Sequence, residues 1–316
     1  KFVQEVVQPE EVTVAVVVYI PFLDGYFAQA LDVLRLCLGS IAAHTVLPHN
    51  LMVFDNASCP EVRNYLLDMH REGSIDLLTL SDQNLGKVGA WNYIIGAAPG
   101  KYLAYADADV YHYPGWLAPL VEALDLFPEL GMITGMPILQ KEEIASATVA
   151  WAESSPEAEI ERGQLLPWED FWRHTGTLGR SQEEGHAFYD QNPIVRVRAR
   201  GKVFYASASH FQFVSRKDVL QQVFPLTADR PMGQVRQFDE AINRLGYLRF
   251  STPEWHVRHI GNTLPDNALD FEGIPIAQPL QKDAEQHKNR LVWDRPIVQK
   301  VLRWIYGRIF KILYRQ

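Results

Sequence analysis

Cysteine is nearly absent from this chain of 316 residues: Cys37 and Cys59 are the only two. Two thiols exclude a disulfide-dense scaffold and an all-cysteine zinc site, which takes four. They fit a reducing compartment, so a cytoplasmic setting is expected. An excess of basic charge is missing too. Lys plus Arg number 30 against 38 Asp plus Glu, a net charge of -8, which argues against duplex nucleic acid as a partner. The most apolar stretch, residues 14–23, falls well short of the roughly 20 residues of a membrane span. No basic segment leads into an apolar run at the start, so no signal peptide is expected. Hydrophobic residues at 47% and charged residues at 22% fit a folded chain of one large domain or two smaller ones.

Charge is unevenly placed. Residues 288–316 hold eight basic residues against Asp294 alone, so the body is strongly acidic. On a helical wheel of residues 296–316, Val298, Val301, Leu302, Ile305, Ile309 and Ile312 share one half. Lys300, Arg303, Arg308, Lys311 and Arg315 share the other. A basic amphipathic helix of this kind suits an anionic membrane surface. Docking on the acidic body or on a second subunit is the alternative.

Residues 12–20 are mostly β-branched and predict a strand buried inside a parallel sheet. Leu31, Leu34, Leu38 and Ile41 recur at helical spacing and predict a helix over 28–43. Strands follow over 50–58, 75–80 and 101–106, with helices over 60–70 and 88–98. This alternation predicts a βαβ sheet with helices on both faces. Further on, the pattern gives a strand over 132–138 and a strand or strand pair over 203–216. Short helices are expected over 217–223 and 239–245, and a last strand over 247–251. Residues 141–200 read as loops and short elements.

Ligands on such sheets bind at the carboxyl ends of the strands. Those ends carry Tyr19 and Pro21, Asp55 and Asn56, Ser81 and Asp82, and then Asp107-Ala108-Asp109. Two carboxylates two residues apart at a strand end can meet one hard cation, which can act as a Lewis acid on a phosphate. A solvated turn or a helix N-cap would also explain them.

The stretch NLGKVGAWNYIIGAAPGKYLAYADADVYHYPGWL favours the cation reading. Its Asn84, Gly86, Ala90, Asn92, Gly100, Tyr102, Asp107, Asp109 and Pro114-Gly115-Trp116-Leu117 resemble the donor-site stretch of family 2 glycosyltransferases of the GT-A fold. VFDNAS upstream resembles that family's Asp-Asn-x-Ser turn, and the resemblance runs over about residues 12–262. It implies an α/β fold with a single Rossmann-like mixed sheet flanked by helices. Residues 1–109 would be the nucleotide-sugar half, 110–262 the acceptor half, and 263–316 an extension bearing the amphipathic helix.

The resemblance also implies an inverting, metal-dependent glycosyltransferase acting on a nucleotide-diphosphate sugar, UDP-linked for preference. The acceptor would be a glycan or a lipid-linked hydroxyl. Asp55 would bond the nucleotide base, flanked by Tyr19 and Pro21, and Asn84 would belong to the donor turn. Asp107 would face the ribose or the metal, and Asp109 would ligate Mn2+ or Mg2+. His259, in HVRHIGN, would complete the metal site, since imidazole suits Mn2+; His256 is the weaker choice. Lys87 either offsets phosphate charge or is an exposed lysine at a helix start. Trp91 stands where the family often has Arg, a departure in the diphosphate grip.

Inverting transfer needs a base for the acceptor proton. The resemblance puts it at Asp239, with Glu240 as competitor; by spacing alone both are first-turn acids favoured by the helix dipole. Glu169-Asp170 has the wrong order for that motif and reads as acceptor loop. Trp116, Trp151, Trp168, Trp172 and Trp255 can stack on sugars or fill the core. Two rivals remain. A sugar nucleotidyltransferase should carry a basic, glycine-rich loop after the first strand, and YIPFLDGYF does not. A non-catalytic carbohydrate-binding or membrane-scaffold protein would tolerate Asp109→Asn.

Overall fold

The computed structural model describes residues 6–229 and 235–264. The amphipathic segment, and with it the proposed membrane contact, lies outside the described residues.

The first half runs β1 (Val12–Val18), α1 (Ala30–His44), β2 (His49–Asn56), α2 (Pro60–Arg71), β3 (Leu77–Ser81), α3 (Gly86–Ala97) and β4 (Tyr102–Asp107). Then come β5 (Val110–His112), α4 (Leu117–Leu126), β6 (Leu130–Thr134), α5 (Ser146–Ser154), β7 (Ala158–Gly163), α6 (Trp168–Thr175) and α7 (Gln182–Gln191). The chain continues through β8 (Ile194–Ala199), β9 (Lys202–Tyr205), β10 (Gln212–Arg216), α8 (Lys217–Val223), α9 (Val235–Arg244), β11 (Leu248–Ser251) and β12 (Val257–His259).

Ten strands form one mixed sheet in the order β3-β2-β1-β4-β10-β6-β11-β9-β8-β7. This is the expected fold class. β3, β2, β1 and β4 are parallel, and β10 enters antiparallel beside β4. A boundary at residue 109 therefore divides one sheet, not two bodies. Val12, Val14, Val16 and Val18 pack into one core with α1, α2 and α4. Ala15 and Val17 pack into the opposite core with α3, α8 and α9. Burial of both faces explains why this strand is apolar without alternation. Gly25–His44 is long and apolar enough to cross a membrane, yet half of it is buried in this fold, as a core helix is.

Register places the candidate residues. Val18 pairs with Asp55 and Val17 with Asp107, so both aspartates end at the same rim. A separate two-stranded ribbon joins β5 to β12, pairing Val110 with His259. That pairing carries His259 to the side of Asp109 across 150 residues of sequence.

Residues 141–200 depart from the expectation of loops and short elements. They hold three helices and two strands. β7 and β8 pair with Glu159 opposite Arg198 and Glu161 opposite Arg196, opposite charges that favour this register. Arg200 and Gly201, both at positive φ (46° and 74°), turn β8 into β9 as a two-residue hairpin. Ser181 and Glu184 form a capping box that starts α7. The predicted strand over 132–138 ends earlier, at Thr134. Gly135 then spends its N–H on the Gln212 side chain and its carbonyl on His256 and Val257.

Candidate functional site

The turn after β2 is fastened to the end of β1. Ile20 donates its N–H to Ser58 Oγ at 3.0 Å, and Cys59 donates to the Ile20 carbonyl at 2.8 Å. Asp55 is fully buried here. Its Oδ1 accepts from the Ser58 N–H at 3.1 Å, and its Oδ2 lies 3.1 Å from Arg63 Nε. Burial raises its pKa, with Ser58 and Arg63 pulling it back. Arg63 also reaches Asp82, at 2.9 Å. Tyr19 is exposed and Pro21 half-buried beside this turn.

The start of α3 forms the next wall. Asn84 Oδ1 accepts from Asn56 Nδ2 at 2.9 Å and from the Gly86 N–H at 2.8 Å. Gly86 sits at φ 69°, where a side chain would be strained. Asn84 is thus a builder of the turn through its oxygen. Lys87 is not an exposed helix-start lysine: its side chain is 10% exposed, and Nζ donates to Asp107 Oδ2 at 2.6 Å. The other oxygen of Asp107 accepts from the Tyr105 hydroxyl. The phenol of Tyr105 is held well above its ordinary range by burial and by Asp107. Trp91, fully buried, fills the space behind Lys87 among Tyr105, Phe213 and Phe238. At the position where an arginine was expected, the structure has an aromatic core.

Asp109 has different partners. Its Oδ2 lies 3.2 Å from His259 Nε2, and its Oδ1 is buried without a hydrogen-bond partner. Burial pushes this carboxyl up, but His259 and Lys87 pull it further down. Burial pushes His259 down, and Asp109 more than reverses this. His259 Nδ1 lies 2.7 Å from Thr177 Oγ1, whose hydroxyl donates to the His174 carbonyl at 2.7 Å. The Thr177 proton is committed there, so His259 Nδ1 must be the donor. Nε2 is left facing Asp109. His174 packs beside His259 at 5.5 Å between ring centroids; its pKa is pushed down to about 3 by burial and then by His259. Tyr26 is near enough for Asp109 to raise its pKa, after burial as the larger cause.

Among the described residues no group of three or more His, Cys, Asp or Glu gathers around a metal position. The two carboxylates of the Asp-Ala-Asp turn have separate protein partners: Asp107 is bonded by Lys87 and Tyr105, and Asp109 stands with His259. A buried carboxyl oxygen with no donor, next to an imidazole nitrogen, still fits a divalent cation by its chemistry.

Asp239 lies at the start of a separate network. It is 5% exposed. Its Oδ1 accepts from Arg249 Nη2 at 2.7 Å, and its Oδ2 lies 3.5 Å from His210 Nδ1. Burial raises its pKa, but Arg249 and His210 lower it by more. Glu240 points away, half-exposed, with Arg236 at 3.0 Å. Glu169-Asp170 begins α6, where Asp170 accepts from Trp255 Nε1.

Sequence reasoning missed Tyr105, Thr177, His174, His210 and Arg249. Thr177 and His174 fall in the stretch read as irregular, with no motif to mark them. His210 did carry a signal, since it lies two residues before a strand that pairs with the strand ending in Asp107.

The model of glycosyl transferase family 2 matches residues 18–148, from the end of β1 into α5. The match covers less than half of the chain. Asp55, Asn84, Lys87, Asp107 and Asp109 all lie within the matched segment; His210, Asp239 and His259 lie beyond it. No curated protein matches the chain. Among solved structures, the chain is similar to a mannosyltransferase from Pyrobaculum calidifontis in complex with GDP-Man and Mn2+, at 16% identity and a TM-score of 0.44. The similarity covers 78% of this chain and 56% of that one, so the chain spans little more than half of that enzyme.

Proposed function

We propose that this protein transfers a sugar from a nucleoside diphosphate, UDP for preference, to an acceptor hydroxyl, with inversion at the anomeric carbon. The observation that carries this reading is the buried, unpartnered Oδ1 of Asp109 beside His259, within the segment that the family 2 model matches. Asp109 and His259 would hold Mn2+ or Mg2+. A cation bound there supplies positive charge for the departing diphosphate.

The residues of the chain do the rest. Asp55, held rigid by Ser58 and Arg63, accepts an N–H from the nucleobase, with Tyr19 and Pro21 flanking the ring. Lys87 places a second positive charge behind Asp107. The acceptor oxygen attacks the anomeric carbon as the bond to the diphosphate breaks, and the electron pair leaves with the diphosphate. The acceptor proton passes to a base, and no covalent sugar-enzyme intermediate forms. A glycan hydroxyl suits the rim, and a lipid-linked one would suit the basic C-terminal segment.

The test is release of nucleoside diphosphate from UDP-, GDP- and dTDP-sugars, with Mn2+ and with chelator. The reading expects metal-dependent turnover of UDP-sugar, and a tenfold or greater rise in nucleotide Kd in Asp55→Ala. Neither binding nor turnover of any donor would overturn it.

A further inference from the structure

We propose that His210, not Asp239, is the group that takes the acceptor proton, and that Asp239 acts through it as a positioning residue. This rests on the sugar-transfer reading above and names the base within that site.

Asp239 is tightly held, with 7% of its side chain exposed. One oxygen is held by Arg249, whose side chain is itself fully buried, and the other faces His210. His210 has the complementary arrangement. Its Nδ1 is sealed from solvent without a hydrogen-bond partner, with Asp239 Oδ2 3.5 Å away, yet the side chain as a whole is 29% exposed. With Nδ1 inside, the ring's open edge is the opposite one, which carries Nε2. An Nδ1–H directed at a carboxylate leaves a lone pair on Nε2, the tautomer a general base requires.

Position supports the same assignment. The carbonyl of the next residue, Phe211, accepts the Asp107 N–H at 2.8 Å, and the Phe211 ring lies 5.2 Å from His259. The His210 ring lies 6.4 Å from Trp91, which also borders Lys87. His210 therefore borders the Asp239 network directly, while its neighbour Phe211 is tied to the Asp107–Asp109 turn. Its loop is held on both sides. The Ser209 N–H donates to Thr134 Oγ1 at 2.7 Å, and the Ala208 carbonyl accepts from Arg249 Nη2 at 2.7 Å. Arg249 thus fixes the carboxylate and the loop bearing the imidazole together.

In the step itself, the acceptor O–H proton moves to Nε2 as the oxygen forms its bond to the anomeric carbon. The bond to the diphosphate breaks and that group takes the electron pair. The imidazolium is stabilised by Asp239 and returns its proton to water through the exposed edge. The charged group facing His210 is Asp239 of α9, paired in turn with Arg249 of β11; Lys87 and its partner Asp107 lie across Trp91.

The experiment compares wild type, His210→Gln and Asp239→Asn for nucleoside diphosphate release across pH, with Mn2+–UDP binding measured on each. Wild-type turnover should rise with pH through one imidazole ionisation. H210Q should lose that limb and about 10²- to 10⁴-fold in rate, with nucleotide binding unchanged. D239N should lose rate as well, because the amide nitrogen would donate to Nδ1 and place the proton on Nε2. Nitrogen-15 spectra of the wild-type histidines should show His210 as the Nδ1–H tautomer. Wild-type turnover with an H210Q variant that keeps both rate and pH limb would overturn this inference alone. So would an Nε2–H tautomer. A wild type that binds and turns over no nucleotide sugar would instead remove the functional reading beneath it.

Discussion

Arg249→Met removes the cation from a pair closed to water on both sides. The Arg249 side chain is 0% exposed and the Asp239 side chain 7%. Three acceptors lose their donor: Asp239 Oδ1, the Ala208 carbonyl and the Ile144 carbonyl, each at 2.7 Å. Removing one member of a buried ion pair costs about 3–5 kcal/mol, because the remaining charge stays desolvated. The two orphaned carbonyls push toward the upper end. For a domain of this size that is a fall in Tm of about 6–20 °C. Thermal denaturation followed by circular dichroism is the assay. The double variant Asp239→Leu/Arg249→Met removes both charges and should recover most of the loss. The pH dependence has a definite sign. The Asp239 carboxyl is held below its ordinary 3.8, so its contribution is present above that value and fades as pH falls through the folded pKa. The double variant should therefore lose less stability on acidification than wild type. An R249M protein within about 1 kcal/mol of wild type would refute the account of a dry ion pair.

Other perturbations test separate parts of the fold and site. In Gly100→Ala the new Cβ would sit 2.8 Å from the Glu11 carbonyl oxygen and the Thr13 nitrogen, backbone atoms that cannot yield easily, so a loss of about 1–3 kcal/mol is expected in urea unfolding. Trp91→Ala empties the aromatic cluster behind Lys87 and should cost about 3–5 kcal/mol by the same measurement. Thr177→Val keeps the shape but takes away the acceptor for His259 Nδ1–H; Mn2+ affinity, read by titration calorimetry, should fall about 10- to 100-fold with little change in Tm.

The sequence made the donor half legible because each element there obeys a simple rule. A β-branched strand buried on both faces, a turn rich in Asp and Asn, and helices of regular spacing define the first four strands and their rim. Asp55 and Asp109 needed only strand ends to be located. Position along the chain could not reveal the separate partners of the two aspartates. Lys87 reaches Asp107 because α3 packs over β4, and Thr177 reaches His259 because α6 and the turn after it close over β12. The hairpin of β7, β8 and β9 was readable in part: IVRVRA alternates, and the Arg200-Gly201 turn is short. Its Trp and Glu content masked that period. The Asp239 region was found by motif order, but its burial against Arg249 depends on a late strand whose inward-facing arginine no hydrophobic pattern predicts.

The proposed function stands on Asp109 and His259 together holding a divalent cation for a nucleotide donor. Mn2+ binding by electron paramagnetic resonance, with and without UDP, tests it most directly in wild type, Asp109→Asn and His259→Ala. The account predicts Mn2+ binding in wild type that tightens with UDP and weakens at least 100-fold in either variant, both remaining folded. Mn2+ and UDP binding of equal strength in all three proteins would contradict it.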